Sequence, residues 1–185
     1  MSGGGVSGGV LVAGIGNIFL GDDGFGVEVV RRLAGHPLPE GAELTDTGVR
    51  GVHLAYRLLD GYRCVVLVDA VPGGEPPGTL RLIEVPPQPA ADPAQPPVVD
   101  GHRMTPDAVL ALLDTLSAGT GAGRRPTRVL VVGCEPACLD EGIGLSAPVA
   151  AAVDEAVGLV LRVVGEECAR AGSPRTASGP AARPR

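Results

Sequence analysis

Gly14-Ile15-Gly16-Asn17-Ile18-Phe19-Leu20-Gly21-Asp22-Asp23-Gly24-Phe25-Gly26 is a glycine-rich turn. It lies between an apolar run, Val10 to Ala13, and a segment whose Val27, Val29, Val30 and Leu33 form the apolar side of a helix. A turn of this kind normally receives a phosphate, because free N–H groups and the positive end of the helix dipole point at it. Here two carboxylates occupy that place. A dinucleotide fingerprint requires Gly-x-Gly-x-x-Gly, but Phe19 stands where the third glycine belongs, and Asp22 and Asp23 would repel a pyrophosphate. Capping the helix takes one Asp. The other is left for cation or proton chemistry.

Outward from this turn, runs of strand and helix character alternate. Val10 to Ala13 and Cys64 to Val68 are all apolar, as in parallel strands covered on both faces, and Arg128 to Val132 ends in a third such run. Ala42 to Asp46 reads as a further strand. Thr79 to Val85 sets Leu80, Ile83 and Val85 against Arg81 and Glu84, which suits an edge strand with one wet face, antiparallel to the rest. Helices are predicted over Gly24 to Ala34, from Val52 to Leu59, after Thr105-Pro106, and from Ser146-Ala147-Pro148 onward, where Val149, Val153, Val157, Val160, Leu161 and Val164 keep helical spacing. The expected fold is therefore α/β: a single three-layer domain with a mainly parallel, twisted five-stranded sheet, helices on both faces and one antiparallel edge strand. Residues 1–9 are expected to be a flexible N-terminus, 10–168 the folded domain and 169–185 a disordered tail. Pro86 to Pro97 holds six prolines and is expected to be a loop, mobile in the free protein, that ends just before His102.

Composition narrows the function. The chain has 185 residues, 44% of them hydrophobic, and a net charge of −6, which disfavours nucleic acid and anionic membrane as partners. It contains no Lys, which removes Schiff-base chemistry, the phosphate-loop lysine and Ser-Lys dyads together. No Gly-x-Ser-x-Gly elbow is present. Two Phe, two Tyr and no Trp leave little for stacking bases or sugars. The four cysteines (Cys64, Cys134, Cys138, Cys168) lack Cys-x-x-Cys spacing and are expected to be buried thiols in a reducing cytosol. The N-terminal residues lack the basic and apolar regions of a signal peptide, and a cytoplasmic location is expected.

Three polar positions then draw together. Asp23 follows the first strand, Asp69 ends the third, and His102 precedes a helix; strands one and three are expected to be neighbours, with their carboxyl ends forming the crevice of a doubly wound sheet. Two carboxylates and an imidazole make an O,O,N set for a borderline divalent metal such as nickel or zinc. An Asp at a strand end and a His before a helix also occur for structural reasons alone, so the residues by themselves leave both possibilities open.

The set Gly14-x-Gly16-Asn17-x-x-x-x-Asp22-Asp23-Gly24-x-Gly26, Asp46-x-Gly48-x-x-Gly51, Val68-Asp69-Ala70, His102-x-Met104-x-Pro106, Gly133-x-x-Pro136 and Gly144-Leu145-Ser146 resembles the hydrogenase maturation protease family over about residues 10 to 165. These endopeptidases process the large subunit of nickel-iron hydrogenases. The resemblance implies an aspartic-type peptide hydrolase in which Asp23, Asp69 and His102 are both the catalytic and the metal-contacting residues. Some family members carry Glu at the position of Asp23. The nickel would be brought by the substrate, the large-subunit precursor, and held only weakly by the isolated protein; a monomer is expected. Asp22 is expected to cap the helix or support the site, and Gly48 to Gly51 to touch the substrate. Two other classes remain compatible with the residues: a non-catalytic metal- or nucleotide-binding α/β module, and a peptidyl-tRNA hydrolase-like enzyme of similar architecture, which would need a basic groove that this composition does not supply.

Overall fold

An all-apolar strand is stable only with cover on both faces, and three such strands side by side dictate a layered molecule. The computed structural model describes residues 8–48, 51–86, 110–111, 113–114, 116–117 and 125–172. Its strands are β1 (Val10–Ile15), β2 (Ala42–Gly48), β3 (Cys64–Ala70), β4 (Leu80–Val85) and β5 (Arg128–Cys134), which form one sheet in the order β2-β1-β3-β5-β4. The first four in that order are parallel, and β4 closes one edge antiparallel to β5. The α/β class, the mainly parallel sheet, the adjacency of β1 and β3 and the antiparallel edge all agree with the sequence.

Alternate residues of the central strands enter two separate cores. Val10, Val12, Val66, Val68, Leu130 and Val132 face α1 (Phe25–Leu33) and the C-terminal helix α3 (Ala147–Gly172). Leu11, Ala13, Val65, Leu67, Val129 and Val131 face α2 (Gly51–Leu58) and the helical residues Leu110 and Leu113. Because consecutive connections cover opposite faces, the crevice opens between the carboxyl ends of β1 and β3.

Two local expectations are corrected. The strand β4 has no clean wet face: Arg81, Ile83 and Val85 share one side and Leu80, Leu82 and Glu84 the other, so Leu82 and Ile83 are both exposed. Arg81 instead turns inward, donating to the Val71 carbonyl at 2.6 Å and to Glu135 at 3.0 Å. The helix α3 continues to Gly172, beyond Ala169, where the composition changes. Residues 173–185 and 87–109, which hold the Pro-rich loop beyond Pro86, lie outside the described residues. No helix among the described residues is long and apolar enough to cross a membrane.

Far from the crevice, at the starts of β3 and β5, one carboxylate fastens α3 to the sheet. Glu167, 2% exposed, accepts hydrogen bonds from Arg63 (3.1 Å), Arg170 (2.8 Å) and Arg128. Arg128 also forms a two-pronged pair with Glu84 on β4, at 3.0 and 2.8 Å. Removing Glu167 would leave three guanidinium groups without their shared acceptor, so Glu167→Ala is expected to cost about 2–3 kcal/mol of folding stability. Urea unfolding of the two proteins measures it, and a difference under about 0.5 kcal/mol would mean that the clamp is idle.

Candidate active site at the strand ends

Bare backbone decides how close α1 comes to the sheet. A methyl group at Gly26 would overlap the carbonyl oxygens of Val68 and Ile15, and one at Gly14 would overlap the carbonyl of Gly26. Glycine at both positions lets the first turn of the helix rest on the ends of β1 and β3. Gly16, at φ +130°, turns the chain so that the backbone of Asp23 fills the space a side chain would need.

The turn therefore delivers Asp23 over the strand ends, where its Oδ2 accepts the Asn17 N–H at 2.7 Å. Asn17 folds its own side chain back to accept the Phe19 N–H at 3.0 Å, which fixes the loop locally. Asp69 is the penultimate residue of β3 and accepts the Ala70 N–H at 2.8 Å. Both carboxylates are half-buried. Burial raises the pKa of Asp69 to about 7, and the negative charge of Asp23 adds to the rise, against the lowering effect of the Ala70 N–H. The two acids placed together by sequence are thus close enough to act on one another. His102, the third residue of that set, lies outside the described residues.

Of the two tasks expected of Asp22, capping the helix and supporting the site, capping is not the one it performs. The helix α1 has no side-chain cap, and Asp22 does not supply one. Its carboxylate, 1% exposed, accepts the N–H groups of Ala137 (2.8 Å), Cys138 (3.1 Å) and Ser146 (2.7 Å) and the Ser146 hydroxyl (2.9 Å). Burial alone would raise its pKa, but these four donors outweigh burial and hold the carboxyl below the ordinary 3.8. Backbone bonds extend the junction: Gly21 N–H to Gly142 O (2.9 Å), Asp22 N–H to Cys138 O (3.0 Å) and Gly142 N–H to Phe19 O (2.9 Å). The loop from Ala137 to Ser146 is therefore part of the rim. The Gly144-Leu145-Ser146 motif was the only trace of it in the sequence.

The cysteines divide. Burial drives the thiol of Cys64 up to about 12 and that of Cys134 up to about 11, so both are inert, as expected. Cys138 is exposed on the rim loop, contrary to expectation, because that loop turns it outward toward Asp140.

An α/β sheet with paired acids at its switch point fits the resemblance, and the comparisons with known proteins decide it. The hydrogenase maturation protease family model matches residues 27–163. The chain belongs to the hydrogenase maturation protease family. Hydrogenase expression/formation protein HupM of Azotobacter chroococcum is 31% identical over 159 residues, which cover 85% of this chain and 72% of that protein. The hydrogenase 2 maturation protease of Escherichia coli K12 is 30% identical over 158 residues, 85% of this chain and 91% of its own. Among solved structures, the hydrogenase maturating endopeptidase HybD from E. coli superimposes with a TM-score of 0.63 at 30% identity, covering 85% of this chain and 93% of that one. The family consists of peptide hydrolases, which separates this maturation protease from the nucleotide module and the peptidyl-tRNA hydrolase-like enzyme.

Three measurements follow from the carboxylates. Asp69 binds its proton more tightly in the folded state (about 7) than in the unfolded chain (3.8), so folding stability should fall as pH rises through that window and level off above it. In Asp69→Asn this slope should shrink, and in Asp23→Asn the Asp69 titration, followed by carboxyl NMR of metal-free protein, should move to lower pH. An unmoved titration would show that the two charges do not interact. For Asp22→Asn, which turns an amide N–H₂ toward backbone donors, the expected loss is about 2–3 kcal/mol with faster proteolysis between residues 137 and 146. Unaltered proteolysis there would mean that the loop holds itself.

Proposed function

We propose that this maturation protease is an aspartic-type endopeptidase that removes the C-terminal extension of a nickel-iron hydrogenase large-subunit precursor once nickel has been inserted. The observation that carries this proposal is the placement of Asp23 and Asp69 at the carboxyl ends of β1 and β3, where burial and then the charge of Asp23 raise the pKa of Asp69 to about 7. Two acids so placed are poorly matched to an empty crevice and well matched to a cation. The precursor carries that cation, bound through its own thiolates. Asp23, Asp69 and His102 add oxygen and nitrogen contacts to it, and the proton of Asp69 leaves as the positive charge arrives.

With the metal seated, the scissile peptide bond next to it lies against the same carboxylates. A carboxylate takes a proton from water as the water adds to the carbonyl carbon, and the proton is returned to the departing amine as the C–N bond breaks. The isolated protein binds nickel weakly because two carboxylates and one imidazole without a thiolate form a poor site for a borderline ion. Recognition then depends on substrate that has already received its metal. The enzyme works in the cytoplasm as a monomer.

The test is to incubate the protein with nickel-free and nickel-loaded precursor and to follow the mass of the large subunit. Only the loaded form should shorten. Asp23→Asn and Asp69→Asn should each slow cleavage by at least about 100-fold, while His102→Ala should chiefly weaken binding of the loaded precursor. Equal cleavage of the nickel-free precursor, or full activity of Asp23→Asn, would refute the proposal.

A further inference from the structure

The strand β2 is the edge of the sheet opposite β4, and among the described residues it pairs with β1 alone. Its register fixes which peptide groups are used. Val10 lies opposite Ala42 and donates to the Gly41 carbonyl at 2.9 Å, so residues 41, 43, 45 and 47 turn their backbone groups toward β1. Those of Leu44 and Asp46 point the other way. The N–H of Ala42 is taken by the Pro39 carbonyl at 3.1 Å, which closes the lower end of this strip. At its upper end, Gly48 accepts the Gly16 N–H at 3.2 Å, so the strip runs directly into the turn that holds Asp23.

Exposed edges are usually blunted by proline, outward-pointing charge or cover. The segment Ala42–Gly48 has no proline and no basic residue, and its two acids are engaged within the chain. Glu43 accepts from Arg57 and from the Tyr62 hydroxyl, each at 2.7 Å, and Asp46 accepts the Gly48 N–H at 3.1 Å. On the α2 side of the strip is a cleft of about 550 Å³, lined by Thr45, Thr47, His53, Tyr56, Arg57 and Asp60 together with Asp46.

We infer that the free edge of β2 binds the substrate's C-terminal extension as an added strand, antiparallel to β2, with alternate side chains entering the β2/α2 cleft. This rests on the proposed function. The direction follows from connectivity: the body of the precursor sits at Asp23 and Asp69, so the extension starts at the top of the strip and descends. Backbone bonds to Leu44 and Asp46 supply affinity with little regard to sequence. The threonine hydroxyls, His53, Arg57 and Asp60 favour small or polar side chains at every second position. About six residues of extension span the strip at roughly 3.3 Å each.

Nickel-loaded large-subunit precursor is the probe, used with the full chain and in variants that carry a single proline at each of the first six extension residues. Prolines that remove an amide facing β2 should raise KM roughly three- to tenfold with little change in kcat, and the intervening ones should be near neutral, giving a period of two. Hydrogen exchange at the Leu44 and Asp46 amides should slow when Asp69→Asn protein is saturated with intact precursor. Thr45→Arg, which fills the cleft but leaves the outward backbone groups in place, should also raise KM. Cleavage that proceeds without a period-two pattern and without protection at Leu44 and Asp46 overturns this inference while the proposed function stands. Failure of wild-type protein to cleave or bind the unaltered loaded precursor overturns both.

Discussion

The contact on which the crevice depends is backbone against backbone: Gly26 in the first turn of α1 resting on the carbonyls of Ile15 and Val68. A helix normally stands off a sheet by the thickness of its side chains, about 10 Å between layers. Without a side chain at that turn, α1 descends onto the strand ends, and the residues just before it have nowhere to go but across the mouth of β1 and β3. The 3-10 turn Gly21–Gly24 is the outcome, and it places two successive acids at two depths.

Those neighbours show how environment divides labour between identical side chains. Asp22 points into protein, finds four donors that lower its pKa, and joins two loops. Asp23 points to the crevice, takes a single N–H and shares its field with Asp69. A fully satisfied buried carboxylate rigidifies its surroundings, whereas a pair that each accept a single N–H is reactive toward protons and cations. The first holds the second in place.

Much of this was readable from the chain because its signals are local. The apolar runs at Val10 and Cys64 have the length and composition of central parallel strands, the position of Asp69 after Val68 marks a strand end, and both runs survive in the structure with two residues added to each. Which groups Asp22 binds was not readable. Its partners lie 115 to 124 residues away, and an Asp before a helix looks the same whether it caps that helix or ties down a distant loop. The faces of β4 failed for another reason: Arg81 has a long enough side chain to turn inward and reach the Val71 carbonyl and Glu135, so a charged residue stands where alternation would place solvent. The exposure of Cys138 is equally a property of the rim loop and not of its own neighbourhood. His102, the remaining member of the recognised triad, lies outside the described residues.

The clamp around Glu167 sits at the opposite pole of the sheet from the paired acids. Like charges held together at Asp23 and Asp69 oppose folding, and the three arginines gathered on one glutamate favour it. Because the two clusters share no partner and are separated by the length of the strands, their energies are close to independent. Such a division of the molecule into an anchoring pole and a working pole lets the loops at the working pole change length and sequence without a matching adjustment below. A single scaffold can in this way be retuned to differently shaped protein clients.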